Sequence, residues 1–187
     1  VGGSAPPAGE AILTYDDYLQ LPDDGNRYEI CEGVLHVTPS PTTGHQRVLR
    51  NLAFLLHAFV SRHDLGEVFF APLDVVLSRI SVVQPDLVYV SRTRQSVLTE
   101  KNVCGAPDLV VEIVSNSSSS ADRVTKAQVY ARYGVPYYWV LDPREKKLEE
   151  FRLARGIYVL VHCWEDSAAF TPEIFSGLTV DLQQVWA

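Results

Sequence analysis

Two short runs of mostly β-branched residues stand out: Val-Val-Gln-Pro-Asp-Leu-Val-Tyr-Val over 82–90 and Asp-Leu-Val-Val-Glu-Ile-Val-Ser over 108–115. Each is bounded by turn-type residues and reads as a strand buried on both faces. Each also carries one carboxylate, Asp86 and Glu112, where an uncompensated charge costs several kcal/mol and so demands a partner. The segment that follows, from Ser117–Ser120 to Tyr133, predicts a helix with Ser119 or Ser120 as cap, Asp122 in the first turn, and Gly134 and Pro136 as the stop. On it Lys126, Val129, Tyr130 and Tyr133 recur at i, i+3, i+4 and i+7. The lysine therefore falls on the stripe that faces the protein.

The remaining pattern fills in a mixed α/β domain. Residues 13–19 have a threonine cap, acids in the first turn and helical apolar spacing; 27–31 and 34–38 form a hairpin about Glu32-Gly33. Residues 43–62 place Val48, Leu52, Leu55, Leu56, Phe59 and Val60 on one face of a long helix. His45 stands in its first turn, a position that usually faces solvent, and is kept as a secondary candidate. Residues 68–77 read as one strand carrying Asp74, a minor additional site candidate, 92–104 as a polar and basic connection, 137–141 as a buried strand, and 148–153 with 157–164 as a hairpin. The chain closes with 175–178 and a last turn over 182–186. The expected architecture is a central mixed β-sheet with Asp86 and Glu112 side by side, flanked by the helices 43–62 and 120–133. A single domain over 11–187 is expected. Residues 1–10 read as a disordered tail whose Val1-Gly2-Gly3-Ser4, in a chain without methionine, suggests an expression remnant or an internal start.

Composition narrows the setting. The 187 residues suit one core, and no apolar run approaches the roughly 18 residues of a membrane span, so a soluble protein is expected. Cys31, Cys104 and Cys163 are odd in number and far apart, which argues against disulfides or zinc and for a reducing cytoplasm. A net charge of −7 opposes sequence-independent binding to nucleic acid, although Arg47, Arg50, Arg62, Arg79, Arg92, Arg94 and Lys101 concentrate basic groups in the first half. Trp164, Phe170, Phe175 and Trp186 near the C-terminus look like more aromatic surface than a monomer buries, and predict a homodimer.

Two carboxylates on neighbouring strands and an inward lysine make a site for a hard divalent cation, Mg²⁺ or Mn²⁺, with an ammonium left to orient or deprotonate a water. Taken singly, each residue has a plainer reading: Asp86 starts a turn after Pro85, Glu112 ends a strand, and Lys126 extends to solvent. Their joint appearance favours a site.

Arg-Tyr-Glu-Ile-Cys-Glu-Gly (27–33), Val-Gln-Pro-Asp-Leu (83–87), Gly-Ala-Pro-Asp-Leu-Val-Val-Glu-Ile-Val-Ser (105–115), Asp122 with Lys126 and Tyr130, and Gly-Val-Pro-Tyr-Tyr-Trp-Val-Leu-Asp-Pro (134–143) together resemble a restriction endonuclease domain family. That family, long catalogued as a domain of unknown function, belongs to the PD-(D/E)XK nuclease superfamily, and the resemblance runs from about Leu13 to Ala187. It implies a restriction-endonuclease-like fold in which Asp86 matches the "PD" aspartate and Glu112 the second acid. Lys126 matches a lysine displaced from its usual place two residues after that acid, which here holds Val114. An acid near the first hairpin, Glu29 or Glu32, also belongs to the pattern. The implied function is Mg²⁺- or Mn²⁺-dependent hydrolysis of DNA phosphodiesters, with Asp86, Glu112 and the Ile113 carbonyl on the ion and Lys126 on the attacking water. Two other readings stand beside it: a non-catalytic binding or assembly module on the same fold, and a metal phosphodiesterase of small nucleotides.

Overall fold

Pro85 has no N–H to give to a ladder, and the run 82–90 is accordingly not one strand. In the computed structural model, which describes residues 11–115 and 120–187, it divides at Gln84-Pro85-Asp86 into two strands belonging to different sheets. The run 68–77 divides in the same way at residues 71–74, so each expected strand is two.

The elements in order are α1 (Tyr15–Tyr18), β1 (Arg27–Cys31), β2 (Val34–Thr38), α2 (Thr43–Arg62), β3 (Gly66–Phe70), β4 (Val75–Ser78), β5 (Ser81–Val83) and β6 (Leu87–Ser91). A 3₁₀ helix (Arg92–Val97) leads to β7 (Val103–Cys104) and β8 (Leu109–Ile113). Then come α3 (Ser120–Arg132), β9 (Tyr137–Asp142), β10 (Lys147–Ala154), β11 (Ile157–Glu165), β12 (Ala169–Phe170), β13 (Val180–Asp181) and α4 (Leu182–Trp186). The central sheet has six strands in the order β11-β10-β9-β8-β6-β3, parallel only between β8 and β9. A second sheet, not separated from the first by the sequence pattern, has the order β2-β1-β5-β4-β7 with β4 and β7 parallel. The expected α/β architecture holds, with the central sheet mixed as expected. Ser119 and the side chains of Ser120 and Asp122 lie outside the described residues, and α3 begins at Ser120.

Strand alternation sorts the core into two layers. Leu87, Tyr89, Leu109, Val111, Ile113, Trp139 and Leu141 share one core cluster with Val48, Leu49, Leu52, Leu56 and Val60 of α2 and Leu182 and Val185 of α4. On the other face Val88, Val90, Val110, Tyr138 and Val140 cluster with Val129 and Tyr130 of α3 and with Cys31, Val75, Val83 and Val103 of the second sheet. Helix α2 starts where expected because Thr42 caps it, accepting the His45 N–H at 3.3 Å. Among the described residues no helix is long and apolar enough to cross a membrane.

The C-terminal aromatics do not form a surface. Phe170 and Phe175 are fully buried, and Trp164 and Phe170 pack edge to face with centroids 4.6 Å apart. Trp164 and Trp186 pack against the α2 side of the core, so the aromatic argument for a dimer fails because those rings are used inside the chain. Asp74 likewise leaves the candidate list. It lies between β3 and β4 and accepts hydrogen bonds from the Tyr18 hydroxyl (2.6 Å) and Gln84 Nε2 (2.9 Å), a joint between α1 and the sheet crossover.

Glu150 on β10 is fully buried against Trp139: its Oε1 accepts from the indole N–H at 3.3 Å and from the Glu173 N–H at 3.0 Å. Among the described residues its Oε2 has no hydrogen-bond partner and lies 3.5 Å from His162 Nδ1. Burial pushes this carboxyl above the ordinary 4.5, with the Glu173 amide, His162 and Trp139 opposing it. The folded state thus binds the proton more tightly than the unfolded chain, and this group's contribution to stability falls as pH rises above 4.5. Glu150→Gln is expected to melt higher than wild type at pH 8, by about 1 kcal/mol, the scale of an unmet buried polar atom. The difference should shrink toward pH 4.5 in calorimetric scans. A variant that melts lower at pH 8 would show that the His162 pair outweighs the burial.

Candidate active site

The pairing of β6 with β8 sets Leu87 opposite Val111 and Val88 opposite Val110, and one step further along the register brings Asp86 opposite Glu112. Asp86 immediately precedes β6 and Glu112 is the fourth residue of β8. Alternation sends Glu112 to the face shared with Val110 and Val140, toward α3.

Asp86 is 2% exposed and is held from three directions. Its Oδ1 accepts from Arg27 Nη1 at 3.1 Å; its Oδ2 lies 3.1 Å from His45 Nε2 and accepts the Ile113 N–H at 2.8 Å. Burial alone would raise this carboxyl, but the His45 hydrogen bond and charge, then Arg27 and the Ile113 amide, pull it below the usual carboxylate range. It is ionised. Glu112 goes the other way: burial pushes it up, reinforced by the charges of Asp86 and Glu29, against the opposing pull of Lys126 and the Tyr130 hydroxyl.

Lys126 bridges two carboxylates, 3.0 Å from Glu112 Oε1 and 2.9 Å from Glu29 Oε2. Burial works against its charge, yet Glu112 and Glu29 outweigh it and hold the ammonium above the ordinary lysine range. The Tyr130 hydroxyl donates to the same Glu112 oxygen at 2.5 Å; burial and the charges of Glu112 and Glu29 keep it protonated. Glu29 Oε1 accepts the Gln84 N–H at 2.7 Å, so Glu29 ties the sheet crossover to α3. Arg27, Glu29, His45, Asp86, Glu112 and Lys126 line a cleft of about 340 Å³ between the start of α2, the end of β2, the end of β8 and α3. Cys31 lines it too, but burial pushes its thiol up to about 12, which removes it as a nucleophile at neutral pH.

Asp86, Glu112, Lys126, Glu29 and His45 are therefore brought together, and of Glu29 and Glu32 only Glu29 lines the cleft. Glu32 sits in the β1–β2 turn with φ 53°, pairs with Arg132 and accepts from the Ser81 hydroxyl at 2.8 Å, away from the cluster. His45 is 6% exposed, contrary to the surface position expected of a first-turn polar residue. The reason is arithmetic: Val48, Leu49 and Leu52 lie three, four and seven residues on, which places His45 on the buried stripe. Arg27 and Tyr130 were not identified as site residues from sequence. Arg27 follows from period-two alternation with Glu29 and Cys31 on β1, and Tyr130 from its place one turn after Lys126.

As a host for a metal, the cluster offers oxygen donors of the right hardness. Its three carboxylates, Glu29, Asp86 and Glu112, face two fixed cations, Arg27 and Lys126, which leaves an excess of one carboxylate beyond any contribution of His45. Among the described residues no three His, Cys, Asp or Glu side chains gather into a cage for an ion. A cage is not required of Mg²⁺, which keeps several waters and is held through one or two carboxylates. The residues fit such an ion through Asp86 and Glu112.

A family model described as "Putative restriction endonuclease", Uma2, matches residues 15–183 of the chain. The chain belongs to the Uma2 family. Uma2 membership agrees with the motifs over 27–33, 83–87, 105–115 and 134–143 and gives the chain the nuclease-like character of that family. The fold is similar to that of "a putative nuclease belonging to DUF820 from Anabaena variabilis ATCC 29413", with a TM-score of 0.77 and 19% identity over 93% of this chain and 97% of that one. Among curated proteins, none matches the chain.

Removing the bridging ammonium leaves Glu29 and Glu112 facing each other. Lys126→Met is expected to lower stability at pH 8 by about 2–4 kcal/mol, the scale of a broken buried pair, with partial recovery toward pH 5 as Glu112 takes a proton. Urea titrations at the two pH values check this. Unchanged stability would mean that Lys126 is a solvated surface group.

Proposed function

We propose that this chain is a Mg²⁺- or Mn²⁺-dependent endonuclease that hydrolyses phosphodiester bonds in DNA. The observation that carries the reading is the meeting of Asp86, Glu112 and Lys126 in one cleft, with the ammonium 3.0 Å from the second acid, in a chain of a nuclease family.

Asp86 and Glu112 would hold the ion, with the Ile113 carbonyl as a third donor from the cleft wall. A bound divalent ion supplies charge stabilisation to the phosphoryl oxygens and a more acidic water. The raised proton affinity of Lys126 supports one of the two roles expected of it: a lysine held charged between two carboxylates would position the attacking water and offset charge in the transition state, without taking its proton. The water oxygen would form the new bond to phosphorus and lose its proton to solvent, while the bond to the leaving sugar oxygen breaks and that oxygen takes a proton from solvent. Glu29 positions Lys126; Tyr130 fixes the Glu112 oxygen that the lysine shares. His45 and Arg27 orient Asp86.

A plasmid-nicking time course in Mg²⁺ and Mn²⁺, with EDTA as control, tests the reading. Asp86→Asn and Glu112→Gln should lose both nicking and calorimetric metal binding. Lys126→Ala should keep metal binding and lose about a hundredfold or more in rate. Lys126→Arg should not restore it, since a guanidinium differs in reach and geometry. Cleavage unchanged in Lys126→Ala would remove the assigned role, and preference for a nucleotide diester over plasmid would favour a small-molecule phosphodiesterase. Absence of cleavage on every DNA and RNA would leave a binding module.

The same proposal includes a homodimer and a reducing, cytoplasmic setting. Cys31, Cys104 and Cys163 are all free, two of them exposed. Nine-residue β11 closes the central sheet as an edge strand, with Ile157, Val159 and Leu160 exposed and no charged residue before Glu165. Such an edge lacks the usual protection against pairing with a second copy. Light scattering at tens of micromolar should give twice the 20.9 kDa chain mass, and Val159→Lys with Leu160→Lys should halve it; a monomeric wild type would refute the dimer.

A further inference from the structure

We propose that Arg27 is the resident counter-ion of Asp86, occupying the carboxylate oxygen that a divalent cation takes and competing with it for that oxygen. The proposal rests on the metal-site reading above for the identity of the competitor.

The two oxygens of Asp86 are held differently. Oδ2 meets His45 Nε2 at 3.1 Å and the Ile113 N–H at 2.8 Å, both from groups fixed by secondary structure. These contacts lock the carboxylate in place. Among the described residues, Oδ1 is bonded by Arg27 Nη1 at 3.1 Å. An incoming cation can reach Oδ1 without disturbing a backbone bond, provided the guanidinium gives way.

The guanidinium is not fully satisfied where it rests. Its Nη2 donates to the Gln84 carbonyl, but its buried Nε has no hydrogen-bond partner among the described residues. An arginine has five donors in a fixed fork, and burying one unmet is unfavourable. Its resting place is thus a compromise between the Asp86 charge and an incomplete set of partners. Arg27 also lines the cleft, so movement off Oδ1 keeps it at the wall, anchored through Gln84.

Electrostatics gives the competition its sign. A fixed cation a few ångströms from a divalent ion repels it, and removing that cation frees the ligand oxygen and ends the repulsion. Before a cation arrives, the same guanidinium supplies the compensation that a carboxylate 2% exposed requires. Arg27 therefore lets the cleft stay folded without metal and weakens metal binding.

Calorimetric titration of Mn²⁺ into wild type, Arg27→Met, Arg27→Gln and Arg123→Met tests this. Arg123 is the control, since it lines the same cleft but pairs with Glu149 at 3.4 Å and does not touch Asp86. Arg27→Met should bind Mn²⁺ at least about tenfold more tightly than wild type, whereas Arg123→Met should change affinity by no more than about twofold, as a screened charge at longer range would. Arg27→Gln, which keeps a donor without the charge, covers a failure of Arg27→Met to fold and should also bind more tightly than wild type. Equal or weaker binding in folded Arg27 variants, or the same tightening in Arg123→Met, overturns the proposal. Wild type binding no Mn²⁺ at millimolar concentration would instead overturn the metal site itself, and the two failures are distinct.

Discussion

A carboxylate withdrawn from water at the joint between two sheets has to be met by donors, and Asp86 takes them from three separate elements. Arg27 comes from the start of β1, His45 from the first turn of α2, and an N–H from the end of β8. Left unpaired, such a charge would cost several kcal/mol. The relative positions of those three elements are consequently fixed by one side chain. The crossover that carries it obeys the same requirement. Pro85 offers no donor, and the free backbone groups of Gln84 are taken by side chains of β1, the N–H by Glu29 and the carbonyl by Arg27. Arg27 and Glu29, whose side chains meet the crossover, also line the cleft.

The elements with strong periodicity were legible in the sequence. Helix α2 runs from Thr43 to Arg62 as its apolar spacing predicts, and the hairpins β1–β2 and β10–β11 fall where turn residues place them. The inward side of α3 was legible because Lys126 shares a stripe with Val129 and Tyr130, both buried. What the pattern could not show is sheet membership. A continuous apolar run looks the same whether it is one strand or two strands of different sheets, and both 68–77 and 82–90 were of the second kind. Glu29 and Glu32 are three residues apart, both near the same turn; only the β1 register and the position of α3 decide which one reaches the lysine. His45 was legible in principle, by the stripe argument already applied to Lys126. The habit of polar first-turn residues ranks it as a secondary candidate, whereas its spacing from Val48, Leu49 and Leu52 puts it inside.

The acidic chain and the site reading conflict less than the overall charge suggests. The charge of −7 belongs to the whole chain, whereas the cluster around Lys126 sets three carboxylates against Arg27 and Lys126, and Arg123 also lines the cleft. Within it the acids are not equivalent. Asp86 is held ionised by its donors, while Glu112, buried beside two other acids, is pushed toward its protonated form even with Lys126 and Tyr130 on it. Positive charge added at this point would favour the ionised form that burial opposes. The proposed ion would meet one acid already ionised and one whose ionisation it favours.

The lysine shows why a spacing motif and a site are different objects. Two residues beyond Glu112, on the same side of the strand, stands Val114, which lines the cleft and packs against the core cluster shared with α3. A lysine there would approach Glu112 along its own strand. Here the ammonium arrives from across the cleft, on a helix whose register is set by Val129 and Tyr130 in the core. The acid is reached from a chain position fourteen residues away. This placement makes the ammonium's position a consequence of helix docking, and with it the hydroxyl of Tyr130, one turn on, is brought to the same Glu112 oxygen. Contact with the carboxylate is thus made by a docked helix and not by the strand that carries the acid.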